Sequence, residues 1–174
     1  MSDSIIDLSA NPLTAWNGPL GLPDFTRIED KDFEPVFCAA LDAHEREIEQ
    51  IASNSAAPTI ENTLAALELS GEALSRASAI FWCLAGAHTN PEIQRLEREI
   101  SPLVARHFTR MYMNDALFRR IDALYGRRDS LNLDKETRRV LEKTWKRFVR
   151  GGAKLDGEAK ARLGAINEEL ARLG

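Results

Sequence analysis

The sequence is short of the residues that most often carry chemistry: its 174 residues include two cysteines and three histidines. Cys38 and Cys83 could pair only if the fold brought them together, and the expectation is two free, buried, small hydrophobic side chains in a reducing compartment. Long apolar runs are also missing. The longest, Ala77 to Ala87 with Ser78 inside it, falls well short of the roughly 20 residues that cross a bilayer, so it reads as a buried helix. The opening MSDSIIDLSANPL has neither a basic n-region nor an apolar stretch of signal length, which argues against a cleaved export signal and for the cytoplasm. Nor is there an excess of positive charge. With 23 basic and 27 acidic residues the net charge is -4, and the sequence pI near 5.5 argues against a protein dedicated to nucleic acid or to an anionic membrane.

Several reaction classes are excluded by missing motifs. A zinc peptidase helix of the His-Glu-x-x-His kind needs two imidazoles one turn apart on one metal, with the glutamate placed to take a proton from bound water. The nearest string is His44-Glu45-Arg46-Glu47-Ile48, where Ile48 fills the second ligand position and breaks the pair. His44, His88 and His107 are all expected on apolar helix faces, and a site joining them would require those helices to converge. A carboxylate-bridged di-iron bundle is ruled out because the residues three before the histidines are Leu41, Ala85 and Val104. A G-x-S-x-G elbow and a glycine-rich phosphate loop are absent as well. No catalytic, cofactor-binding or metal-ligating residue is therefore assigned to this chain.

What is present is helical periodicity. No segment alternates with period two for long enough to form a strand, and no internal repeat or low-complexity tract occurs. The expected class is all-α: an antiparallel bundle of about six helices over 32–174, preceded by an extended arm over 1–31. The arm holds Pro12, Gly18, Pro19, Gly21 and Pro23 without helical period, and Trp16 and Phe25 are its expected anchors. Asp32 is expected to cap a first helix that tolerates Pro35 in its first turn and carries a stripe of Phe33, Phe37, Leu41, His44, Ile48 and Ile51. Asp42, Glu45, Arg46 and Glu49 form its wet face. Pro58-Thr59 opens a second helical stretch, with Ile60, Leu64, Leu67, Leu74, Ile80, Phe81 and Leu84 inward and Gly71 as a kink or break. Either one bent helix or two short ones would fit.

Asn90-Pro91 combines a cap residue with proline at the first helical position, followed by Ile93, Leu96, Ile100, Leu103, Val104, His107, Phe108 and Met111. Pro102 lies inside that period, where its missing amide predicts a kink. Asn114 caps a helix through Leu117, Phe118, Ile121 and Tyr125 to Gly126. After a loop through Asn132, Asp134 caps a helix that buries Val140, Leu141, Thr144 and Phe148. Gly151-Gly152 stops it, because glycine accepts the left-handed backbone of a helix end. Asp156 caps a last helix with Ala159, Leu163, Ile166, Leu170 and Leu173 on one face. That helix reaches Gly174 with its period unbroken, which predicts truncation ahead of further chain. At this length folding buries roughly 70% of the unfolded surface, enough for a self-standing core.

Charge is spread unevenly. Ten basic and four acidic residues fall between Arg127 and Lys154, giving +6 there and -10 elsewhere. Arg138, Arg139, Lys143, Lys146, Arg147 and Arg150 share one helix with Trp145, a composition that can neutralise phosphates or steer an anionic ligand, or else stand as a solvated face or a contact with a further, catalytic part of the protein. Glu97 and Glu99 beside Arg98, and Glu168-Glu169 beside Arg172, read as surface ion-pair material.

Three blocks carry a family resemblance: NPLTAWNGPLGLPDFTRIEDKDFEPVF from Asn11 to Phe37, the run from Glu61-Asn62-Thr63 to Pro102, and FVRGGAKLDGEAKARLGAINEELARL from Phe148 to Leu173. With the MNDALFRRIDALYGRR segment between them they span nearly the whole chain. Over these blocks the sequence resembles the helical N-terminal region of the thimet oligopeptidase and oligopeptidase A family of zinc metallopeptidases, and within it the Dcp-type peptidyl-dipeptidases. The resemblance implies a parent enzyme that removes dipeptides from peptide C-termini with zinc, this region helping to wall a channel that admits short peptides. Its partners would be the C-terminal catalytic region and peptide substrates, with no nucleic acid and no membrane. The zinc motif belongs to that later region, so no metal is expected on this chain. The alternative is a stand-alone helical module that binds a peptide or an anionic partner.

Overall fold

Short polar residues placed ahead of apolar stripes set most of the helix starts. The computed structural model describes Leu8 and residues 10–173, apart from the side chain of Arg172. Within it Asn90 Oδ1 accepts the amides of Glu92 and Ile93 at 2.8 and 2.9 Å, opening α4, Pro91–Tyr112. Asn114 Oδ1 accepts Leu117 N at 2.9 Å and opens α5, Asp115–Gly126. Asp134 Oδ1 accepts Glu136 N and Thr137 N at 2.8 and 2.9 Å and opens α6, Lys135–Arg150. Asp156 Oδ1 accepts Ala159 N at 2.8 Å and opens α7, Gly157–Leu173. Each cap satisfies amides that the first helical turn leaves without a partner.

The Asp134 cap makes the start of α6 sensitive to acid. The Thr137 hydroxyl and the Thr137 amide both donate to this carboxylate and hold its pKa below the ordinary value. A lowered folded pKa stabilises fully above the unfolded carboxylate pKa and loses that contribution as pH falls through the folded one. Amide exchange at Glu136 and Thr137 is therefore expected to quicken below the ordinary carboxylate range, after correction for intrinsic rates. Asp134→Asn, which keeps a cap oxygen without the charge, should flatten that profile.

The remaining helices are α1, Phe33–Ala52, a π-helical turn over Ile60–Ala65 that runs into the one-turn α2, Ala66–Leu69, and α3, Glu72–Ala87. Six helices of 12 to 22 residues and no strand make the described residues all-α, as the periodicity requires. At Gly71 the chain breaks between two helices: its φ of +72° places it in the left-handed region, directly ahead of α3. Gly152, at φ +99°, supplies the left-handed step expected after α6. Helix α4 continues through Pro102 to Tyr112.

By packing, the described chain divides into two compact units, each made of two segments. The first comprises Met1–His44 and Gly71–Ser101, the second Glu45–Ser70 and Pro102–Gly174. One of the boundaries thus falls at the Ser101–Pro102 bond that the sequence marks. In the first unit Phe81 is fully buried, with the rings of Phe33 and Phe37 at 5.1 and 5.4 Å in edge-to-face contact. Burying each such ring contributes about 1.5–3 kcal/mol. Ile93, Leu96 and Ile100 of α4 are also buried in this unit. In the second unit Ile48, Ile51, Met111, Leu117, Phe118, Ile121, Phe148 and Ala153 form the main core, and Leu64, Leu124 and Leu141 a smaller one.

Some local expectations need correction. Asp32 is not a simple N-cap: residues Asp30–Asp32 form a 3-10 turn, and Asp32 Oδ2 accepts the amide of Glu29 at 2.8 Å. A capping box thus sits three residues earlier, fused to α1. The arm holds two further 3-10 turns, Pro12–Thr14 and Pro19–Gly21, and residues 1–7 and 9 of it lie outside the described residues. Its buried anchors are Pro12, Leu13 and Pro23, whereas Phe25 is 54% exposed because it rides on the turn after Asp24. Trp16 is half-buried, with the Arg76 guanidinium 5.0 Å from its ring centre. Leu103, placed in the α4 stripe by periodicity, is 38% exposed. Cys38 and Cys83 are free but exposed, since each follows a helix position that takes the inward place: Phe37 directly before Cys38, and Phe81 two residues before Cys83.

Candidate interaction surface

The three histidines occupy different environments. His44 is buried, and its ring fills the space beside Gly71, where an added Cβ would stand 2.9 Å from Cε1. His88 is exposed, contrary to expectation, because it follows the last turn of α3 as its C-terminal cap. His107 is half-buried against Phe108, with ring centres 5.4 Å apart. Among the described residues no group of three or more His, Cys, Asp and Glu side chains is placed to hold a metal ion. No helix of the described residues is long and apolar enough to cross a membrane.

Of the four acidic residues picked out in the sequence, Glu99 and Glu168 take part in ion pairs, with Arg95 and Arg106 in place of the expected Arg98 and Arg172. Glu99 meets Arg95, which also pairs with Glu92 at 2.7 Å. Glu168 accepts from Arg106 Nε at 2.9 Å, which holds α7 to α4 within the second unit and raises the Arg106 pKa. The expected neighbour of Glu168-Glu169, the Arg172 side chain, lies outside the described residues, as does Gly174. Such pairs, both partners partly in water and screened by salt, contribute little to stability.

The basic stretch separates into cations with a structural task and cations without one. Arg138 Nη1 donates to Asp129 at 2.7 Å and its Nη2 to the Arg128 carbonyl, tying the loop after α5 to α6 and lowering the Asp129 pKa. Arg139 faces Glu142 at 3.6 Å. Lys143, Lys146, Arg147 and Arg150 are exposed and have no ion pair among the described residues. Beside them the rings of Tyr125 and Trp145 stack at 4.1 Å and 8°. Arg128 covers the tyrosine at 4.3 Å and Lys154 the indole at 4.8 Å, while the indole N–H donates to Asp122 at 2.7 Å. Each of these two cations is attracted electrostatically by the face of the ring it covers.

One structural anchor could not be read from the sequence. Arg120 on α5 is 6% exposed, and its guanidinium meets four neutral acceptors. Nη1 donates to the carbonyls of Asn54 and Ala56 at 2.6 and 3.0 Å, Nη2 to Asn62 Oδ1 at 2.9 Å and Nε to Thr63 Oγ1 at 3.2 Å. Asn62 Oδ1 also accepts Thr59 N and the Thr63 hydroxyl. The Glu61-Asn62-Thr63 triplet is therefore a cradle: its Asn and Thr hold the buried cation while Glu61 stays exposed. The pairing spans 57 to 66 residues, and periodicity carries no sign of it.

Apolar side chains are also exposed in the second unit. On α7, Ile166, Leu170 and Leu173 are 46%, 62% and 75% exposed. They recur at i, i+4 and i+7 and so share one helix face.

The chain is 42% identical over 167 residues to the dipeptidyl carboxypeptidase of Salmonella typhimurium, covering 95% of this chain and 25% of that protein. It is 41% identical over 155 residues to the dipeptidyl carboxypeptidase of Escherichia coli, covering 89% of this chain and 23% of that protein. The chain spans about a quarter of the length of these relatives. No family model matches it.

Proposed function

Because this chain is homologous to the dipeptidyl carboxypeptidases over about a quarter of their length, we propose that it is the helical N-terminal region of a cytoplasmic zinc peptidase that releases dipeptides from peptide C-termini. The arm over 1–31 and the helical part over 32–174 would together help wall the substrate channel and restrict it to short peptides. The observation that carries this reading is the identity of 41–42% sustained across 89–95% of the chain. Zinc would be held by a part of the relatives' length that this chain does not span. No step of the reaction is assigned to any residue here. The apolar face of Ile166, Leu170 and Leu173 supports a region that packs against further protein more than it supports a free-standing module, whose exterior should be polar.

Exchange of regions tests the reading. The chain replaces the matching stretch of the E. coli relative, and release of a C-terminal dipeptide from a short blocked peptide is followed beside the isolated chain with added zinc. The chimera should be active and the isolated chain inert. Activity in the isolated chain would overturn the non-catalytic role. A chimera that folds by circular dichroism yet releases no dipeptide would overturn the kinship of function.

A further inference from the structure

We propose that the outer face of α6 is a docking stripe for an acidic polypeptide segment, independently of the enzymatic reading above. Arg139, Lys143, Lys146 and Arg150 follow one another at steps of four, three and four residues, so they line one side of the helix over roughly 16 Å. Leu141, Thr144 and Phe148 bury the opposite side. Like charges at i,i+4 destabilise an isolated helix, and this face places Lys143 before Arg147 and Lys146 before Arg150 with no acid between them. Of the nearby acids, Asp129 is paired with Arg138 and Glu142 with Arg139, while Asp122 accepts from the Trp145 indole and makes no ion pair with the stripe. Four cations, Lys143, Lys146, Arg147 and Arg150, are thus left facing water with their charge uncompensated by the protein.

Two observations select carboxylates on a polypeptide over a nucleic acid. Single-stranded nucleic acids are held by bases stacking on open aromatic faces. Here Tyr125 and Trp145 stack on each other, and Arg128 and Lys154 lie over them. The residues outside Arg127 to Lys154 sum to -10, which repels a long polyanion that runs past the stripe but not a short acidic segment confined to it. Alternate side chains of an extended peptide recur roughly every 7 Å, close to the roughly 5–6 Å steps of the stripe.

The test uses the 174-residue chain and fluorescence anisotropy with three labelled probes: a peptide of about ten residues alternating glutamate with glycine, its glutamine counterpart, and an oligothymidylate of similar length. The glutamate peptide should bind, weaken as salt rises from about 50 to about 200 mM, and lose about tenfold in affinity in the K143Q/K146Q/R150Q variant. R98Q/R119Q/R162Q, the same loss of charge at other exposed positions, should cost under about threefold. Circular dichroism of both variants confirms that the helices persist. Three results overturn the proposal: equal binding of the glutamine peptide, equal losses in the two variants, or tighter binding of the oligonucleotide.

Discussion

Arg120→Met is expected to destabilise the second unit by about 3–5 kcal/mol, the largest effect of any single replacement considered for this chain. The guanidinium is buried and donates to four acceptors, none of them a carboxylate. Methionine fills a similar volume but offers no donor, so the carbonyls of Asn54 and Ala56 and the Asn62 and Thr63 oxygens lose a partner at once. Asn62 Oδ1 keeps Thr59 N and the Thr63 hydroxyl, so the cost falls on the other three acceptors, about 1–3 kcal/mol for each left unpaired and less where water reaches the exposed residues Asn54 and Ala56. For a chain of this size the midpoint of thermal unfolding should fall by roughly 10 °C. Arg120→Lys should recover only part of the loss, because one ammonium cannot span acceptors on both sides of a planar fork. A loss under about 1 kcal/mol in Arg120→Met would mean that the cradle holds without its cation.

The second large effect is expected at Gly71. Gly71→Val should cost about 3–4 kcal/mol and Gly71→Ala somewhat less. Two causes combine: a φ of +72°, which a β-branched residue strongly resists, and a Cβ position 2.9–3.0 Å from three atoms of the buried His44 ring. A double-mutant cycle separates them. With His44→Ala in place the steric part of Gly71→Ala should vanish while the backbone part, about 1–2 kcal/mol, remains. If the cost of Gly71→Ala were unchanged by removing the ring, the contact with His44 would have no energetic weight.

Much of the fold was legible because its signals are local. Asn90, Asn114, Asp134 and Asp156 cap the helices they precede, and the break at Gly71 and the stop at Gly151-Gly152 need only a few residues to be recognised. Where the signal is not local, pattern reading failed. Arg120 looks like any surface arginine within Phe118-Arg119-Arg120, and its acceptors lie 57 to 66 residues earlier. Arg138 resembles Lys143 in composition, yet the first is spent on the Asp129 loop and the second is not. Amphipathicity marked the α7 face of Ile166, Leu170 and Leu173, but a stripe records an appetite for burial, not the presence of a cover. His88 shows the limit from the other side: the α3 period ran past the point where the helix stopped.

The Arg120 cradle also orders events during synthesis. The carbonyls of Asn54 and Ala56 and the side chains of Asn62 and Thr63 leave the ribosome some 57 to 66 residues before the cation that will hold them. At ordinary elongation rates of about 5–20 residues per second that interval is roughly 3–13 s. Throughout it the segment Glu45–Ser70 has none of its partners from Pro102 onward, while the first unit can close once Ser101 has emerged. A nascent chain of this protein therefore carries residues 45–70 without their later partners, between two segments of the first unit that have both already emerged.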